Sequence, residues 1–377
     1  MARASLLGVV VLIATAASAD PVVRRPSFDD AELVAGAVLA LEPSTDLTLP
    51  SADDAFGLDA SMRAFIAPFT AIRDPRVRLF KIIEGLEERG LFSLDYAEVT
   101  RTASATFHER QGNCLSFTML FVGLARAAGL NATYQSVEVP PTWANDGRVV
   151  IASHVNAVVR TGVGEETVVD FNVRAARANE RSRRVSNSYA LSLFYTNLGA
   201  EALVRGDYAA SLAYLRESAR VYPNIAGLWV NLGVLYSRHA RYEHAEAAYL
   251  RALAVDDREQ SALANLVVTY EALGRQERVL EYRDKVQAYR ERNPYYHYGV
   301  ATRAFEEQDF TTALTALRRA LRLKSDEHQF HELRAEALTA LGRQREAQQS
   351  FERAREFEAI EYARSQARVR FGGLDER

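Results

Sequence analysis

Between Ser192 and Glu361 the chain repeats itself every 34 residues, and this period limits its possible folds more than any other feature. Gly199, Gly233, Val267, Ala301 and Ala335 form one column. Ser211, Ala245, Val279, Ala313 and Ala347 follow twelve residues on, and Ser218, Ala252, Val286, Ala320 and Ala354 seven after that. Large residues stand between the small ones, as Leu215, Tyr249, Leu317 and Phe351. A helix–turn–helix unit requires this alternation. Small side chains let two antiparallel helices approach, while large ones fill the groove to the next pair.

The block resembles a tetratricopeptide-repeat array. "LWVNLGVLYSRHARYEHAEAAYLRALAVDD" (228–257) matches the family pattern best, and "FEEQDFTTALTALRRALRLKSD" (305–326) is close behind. The third repeat departs from it: Arg283 stands where a large apolar residue is expected, so its second helix is either loosely packed or turned to a partner. The resemblance implies five repeats over 192–361 in an all-α superhelix, followed by a charged tail or capping helix over 362–377. The concave face of such a superhelix holds a protein or peptide partner. The alternative is that the array docks on the chain's own N-terminal half and buries that face.

The first twenty residues, "MARASLLGVVVLIATAASAD", place Arg3 before an apolar run and end it with Ala17-Ser18-Ala19, the spacing of a cleaved secretory signal over 1–19. The run is shorter than the roughly 20 apolar residues of a spanning helix. The expectation is therefore a secreted protein, in the bacterial periplasm, with no integral membrane segment after cleavage. Exported proteins pair their cysteines, yet this chain has one, Cys114. A lone thiol there reads as an intermolecular disulfide partner, a reactive nucleophile or an inert buried residue. With 48% hydrophobic and 25% charged residues the chain is globular, with room for a domain over 20–191 ahead of the repeats. A formal net charge of -3 leaves no footprint for nucleic acid.

That first half opens with helical patterns. "DDAELVAGAVLALEP" has aspartates at its start and a proline at its stop, and "DPRVRLFKIIEGLEERG" ends in glycine. "CLSFTMLFVGLARAAG" reads as a buried helix with Cys114 at its first turn, where unpaired N–H groups and the helix dipole stabilise a thiolate. Gly112 would let a substrate backbone come close. "NATYQSVEV", "RVVIASHVNAVVR" and "EETVVDFNV" read as strands, the last two joined by the turn "TGVGE". His154 and Asn156 share one strand face, and Asp170 and Asn172 share another. If these strands form a hairpin, His154 and Asp170 lie side by side, in the order thiolate, base and orienting carboxylate.

Cysteine at a helix start in "RQGNCLSF", histidine in "SHVNAVV" and aspartate in "VVDFN" resemble the transglutaminase-like superfamily of papain-type cysteine enzymes over roughly 60–173. The whole chain is similar to exported bacterial proteins that join such a domain to tetratricopeptide repeats. The resemblance implies an α+β transglutaminase-like N-terminal domain, a nucleophilic Cys114, His154 as its proton partner and Asp170 holding the imidazole. Attack on an amide or peptide carbonyl would give a thioester, released by water or an amine. The oxyanion would be held by the backbone N–H of Cys114 and a second donor, with Gln111, Asn113 and Trp143 as candidates. Asn156 and Asn172 either line the cleft or support the triad by hydrogen bonds.

Other signals are weaker. His328 and His331 could share a helix face, but no carboxylate or cysteine set surrounds them, so no metal is expected. His239 and His244 fall at loop-like positions and read as solvated. No phosphate-cradling glycine pattern occurs, and no cofactor is expected. Two readings follow: a cysteine-dependent acyl-transfer enzyme to which the repeats bring a protein substrate, or a non-catalytic interaction scaffold built on the repeats.

Overall fold

The computed structural model describes residues 28–42, 47–89, 99–138, 142–143, 149–150, 153–170 and 182–368. Residues 1–19, expected to be a signal, Asn172 and the residues beyond 368 lie outside the described residues.

Helix α1 (Asp30–Ala35) starts where the Asp29 carboxylate accepts from the Glu32 N–H at 2.8 Å. It ends at Gly36, whose φ of 61° is left-handed, and a single 3-10 turn follows over Ala37–Leu39. The expectation of one longer helix here is thus corrected by a glycine that terminates it. After α2 (Ala52–Phe56) and α3 (Ala60–Ile66), α4 (Pro75–Glu88) starts on Asp74 with proline in its first turn. Then come α5 (Ala103–Glu109) and α6 (Cys114–Ala127). Nearly every residue of α6 from Leu115 to Ala125 is buried, because it packs on α3, α5 and the sheet.

Among the described residues six strands follow: β1 (Asn131–Glu138), β2 (Thr142–Trp143), β3 (Val149–Val150), β4 (Ser153–Gly162), β5 (Glu165–Val169) and β6 (Ser182–Val185). The main sheet is antiparallel in the order β5-β4-β1-β6, and β2 and β3 form a separate two-stranded ribbon. The stretch read as the single strand "RVVIASHVNAVVR" is therefore two elements, β3 and β4, in different sheets.

The rest is helical: α7 (Asn187–Arg205), α8 (Tyr208–Val221), α9 (Ala226–Arg238), α10 (Tyr242–Val255), α11 (Gln260–Ala272), α12 (Gln276–Arg292), α13 (Pro294–Glu306), α14 (Phe310–Leu323), α15 (His328–Ala340) and α16 (Gln344–Arg368). They make five antiparallel pairs, and the repeat columns explain their closeness. A Cβ at Gly233 would sit 2.3 Å from the Tyr249 ring, and one at Gly199 would sit 2.9 Å from Leu215. The exception is the third pair, where α12 buries only Val279 and Tyr282. Arg283 is exposed and pairs with Glu271 at 2.5 Å, so the position expected to be apolar lies on an open face of α12.

One apolar core runs from Leu33 through the sheet half and the first repeats to Tyr282. A second, with Ala301, Leu317, Ala320, Phe330 and Leu333, belongs to the last two pairs, and the seam falls between α12 and α13. The superhelix also returns towards the sheet half, with β2 beside α13 and β5 beside α16. His244 is not a solvated loop residue. It lies on α10 with its ring stacked on Phe28 at 3.8 Å. Among the described residues no helix is long and apolar enough to cross a membrane.

Candidate functional site

Helix α6 begins at Cys114 because Asn113 caps it: its Oδ1 accepts from the Ser116 N–H at 3.0 Å and from the Ser116 hydroxyl at 3.0 Å. The Asn113 amide nitrogen donates to the Thr100 hydroxyl at 2.8 Å, so both ends of this side chain are engaged in holding the helix start. Thr100 is held in turn from the repeats, its N–H donating to Glu201 of α7 at 2.8 Å. Gly112 is glycine for a packing reason, since a Cβ there would meet the Ser116 Cβ at 2.8 Å.

Thr118, one turn along α6, fixes the helix against β4. Its hydroxyl lies 2.8 Å from the Cys114 carbonyl oxygen and 2.9 Å from that of Val155. This clasp sets the Cys114 turn beside His154. The β4–β5 register pairs Ala157 with Val169, so one step further Asp170 faces Asn156 and lies diagonal to His154. The imidazole spans that diagonal. Its Nε2 lies 2.7 Å and 2.8 Å from the two carboxylate oxygens of Asp170, and Asn156 donates its amide to Asp170 at 2.9 Å. His154, Asn156 and Asp170 are all buried, and Cys114 is half-buried.

Burial is the largest influence on the His154 proton and acts to remove it. Hydrogen bonds to Asp170 and to Cys114, with the negative charge of both, act the other way and prevail, raising the imidazole to about 10. With Nε2 committed to Asp170, the other ring nitrogen is the one left for the thiol. The group sets a thiol, an imidazole and a carboxylate in the order that nucleophilic thiol chemistry uses.

The remaining candidates are more scattered. Gln111 is exposed, its amide oxygen 3.5 Å from Arg101. Trp143 is described in its backbone only, paired with Val149, and Asn172 lies outside the described residues. His331 is buried, with Nε2 bonded to the Ser325 carbonyl at 2.9 Å, and no group of metal ligands occurs among the described residues.

Sequence reasoning passed over a fourth column in the repeats. Asn197, Asn231 and Asn265 stand 34 residues apart on α7, α9 and α11, all half-buried. Asn231 donates to the Thr196 carbonyl at 3.3 Å, while the side chains of Asn197 and Asn265 make no hydrogen bond among the described residues. Asking which polar residue recurs at the period would have found it.

Residues 226–258 match the tetratricopeptide-repeat family model. The chain is similar to MamA from AMB-1, at 19% identity over 45% of this chain and 92% of that one, with a TM-score of 0.24. It is also similar to PilF of Pseudomonas aeruginosa, at 19% identity over 46% of this chain and 78% of that one, with a TM-score of 0.27. A third likeness is to YrrB, described as a repeat protein with an unusual peptide-binding site, at 12% identity over 47% and 92% of the two chains, with a TM-score of 0.26. No curated protein matches the chain. At such TM-scores the assignment rests on the family match and on the helical pairs themselves: residues 226–258 are a tetratricopeptide repeat within an all-helical, repeat-like C-terminal half, an architecture suited to binding proteins.

Proposed function

We propose that this protein is a scaffold that holds a polypeptide partner on its repeats. The carrying observation is the asparagine column, Asn197, Asn231 and Asn265, on three successive first helices. Amides repeated along an array offer donors and acceptors to the regularly spaced backbone groups of an extended segment. The test is retention of a partner from the host's exported fraction by the immobilised full chain. Loss of that partner in the Asn197→Ala, Asn231→Ala, Asn265→Ala triple variant, with the helical circular dichroism intact, supports the reading; equal retention by both overturns it.

A second reading, of the transglutaminase-like kind, is favoured by one observation, the bonding of the buried His154 imidazole to both carboxylate oxygens of Asp170 beside the Cys114 turn of α6. In it the exported chain is a thiol acyl-transfer enzyme. The Cys114 thiolate attacks an amide carbonyl, the C–N bond breaks, and the His154 proton leaves with the amine. Water or an incoming amine then opens the thioester, returning its proton to His154 and regenerating the thiolate. Alkylation of Cys114 against pH tests this: a midpoint well below the free-thiol value of about 8.5, lost in His154→Ala, supports it. A midpoint at or above that value, indifferent to the substitution, makes the thiol structural.

A further inference from the structure

The first groove of the array, between α8, α9 and the turn before α10, is occupied by the chain's own helix α1. Leu33 is buried there at 1% exposure. The carbonyl groups at the end of α1 are satisfied from the array: Arg216 Nε donates to Val34 O at 3.1 Å, its Nη2 donates to Ala35 O, and the Tyr236 hydroxyl donates to Leu33 O at 2.7 Å. Arg241 adds a bond to Val38 O at 3.3 Å. At the other end, Arg251 Nε holds the Asp30 carboxylate at 2.9 Å. The occupant is thus a short helix with an acid in its first turn, a leucine three residues later, and unpaired terminal carbonyls that guanidinium groups satisfy.

Three periods further on, the last groove keeps the arginines of this set and has an apolar side chain in place of the Tyr236 hydroxyl. Leu314, Arg318, Arg322, Leu338, Arg343 and Arg353 stand where Leu212, Arg216, Arg220, Tyr236, Arg241 and Arg251 stand in the first. The arginines are not a requirement of stacking, because in the two intervening grooves Leu250 and Asp284 take the place of Arg216, and Ala254 and Ala288 that of Arg220. In the last groove Leu314, Arg318, Arg322, Leu338 and Arg343 line a cavity of about 260 Å³ between α14, α15 and the turn after it. That is below the roughly 300 Å³ at which small-molecule sites begin, and suits one large apolar side chain. Among the described residues Arg318 and Arg322 make no ion pair or hydrogen bond. Arg343 and Arg353 have only exposed pairs, with Glu346 and Glu356, which exchange readily.

We propose that the groove between α14 and α15 docks a short acidic helix of a partner protein, with the chemistry of α1: Asp or Glu in its first turn, leucine three residues on, and free carbonyls at its end. Like the scaffold reading it calls for a protein partner, but on different residues. The asparagine triple variant should therefore bind this helix unchanged, and the two ideas fail separately.

The probe is a labelled peptide of residues 28–41, FDDAELVAGAVLAL, titrated into the full chain by fluorescence anisotropy. Saturable binding is expected, weakened at least about tenfold when Arg318→Ala and Arg343→Ala remove the charge-assisted bonds. A similar loss is expected when Leu33→Ala is made in the peptide. Both arginines are exposed, so circular dichroism should show the double variant folded. The proposal is overturned if the peptide does not bind, if the double variant binds it equally, or if a scrambled peptide of the same composition does. Self-association of the wild-type chain that the double variant abolishes would also overturn it, in favour of a second copy as the occupant.

Discussion

A histidine as enclosed as His154 ordinarily sheds its proton, because burial penalises the charged form. Here burial is opposed and outweighed by Asp170 and Cys114, which raise the imidazole from 6.5 to about 10. A raised value means that the folded protein binds the proton more tightly than the unfolded chain. The stability it contributes is complete below pH 6.5, falls as pH rises towards about 10, and is absent above that. In urea unfolding, the advantage of the wild type over His154→Gln should therefore shrink steadily across this window. A pH-independent gap would mean a neutral imidazole. At this scale the placing of Cys114 at a helix start and of His154 beside Asp170 was legible from residue type and element, but the partners of neighbouring side chains were not. Asn113 looked available to an oxyanion and is the cap of α6, whereas Asn156, whose role was open, is a hydrogen-bond support of Asp170.

Within an element, glycine shows how local pattern becomes packing. Gly233 lies under the Tyr249 ring, with 2.3 Å from an added Cβ to Cε1, so even alanine must displace a buried aromatic side chain. Gly233→Ala should cost about 1–3 kcal/mol in denaturant unfolding, the usual penalty of overpacking. Gly227, in the first turn of α9, has only Thr196 Cγ2 nearby, at 3.7 Å. Gly227→Ala should be neutral or gain up to about 1 kcal/mol by stiffening the unfolded chain. If the two variants unfold alike, close approach of α9 and α10 is not what fixes Gly233. The repeat helices were legible because their spacing recurs. The break of α1 at Gly36 and the division of β3 from β4 were not, since apolar patterning continues across both.

Across the whole molecule the core is uneven. The sheet half, α1 and the first repeats share one apolar cluster, while the last two pairs have their own beyond the seam at α12 and α13. α12 contributes little to either, with Val279 and Tyr282 its only buried residues. Helices α13 to α16 should therefore open as a unit at lower free energy than α7 to α10, and hydrogen exchange should show their amides losing protection first. Uniform protection along the array would contradict a seam.

The sequence by itself determined the five helical pairs, the start of α6 at Cys114 and the β4–β5 hairpin. Each depends on spacing within a few dozen residues, which periodicity records directly. Only the tertiary structure decided which distant groups meet. Glu201 reaches Thr100 from 101 residues away, and Arg251 reaches Asp30 from 221. Such pairs leave no trace in one chain, because any of its 49 acids is chemically fit for any of its 46 basic residues or for a free backbone N–H. Their choice is made by packing: Thr118 setting α6 on β4, and Leu33 seating α1 against the array.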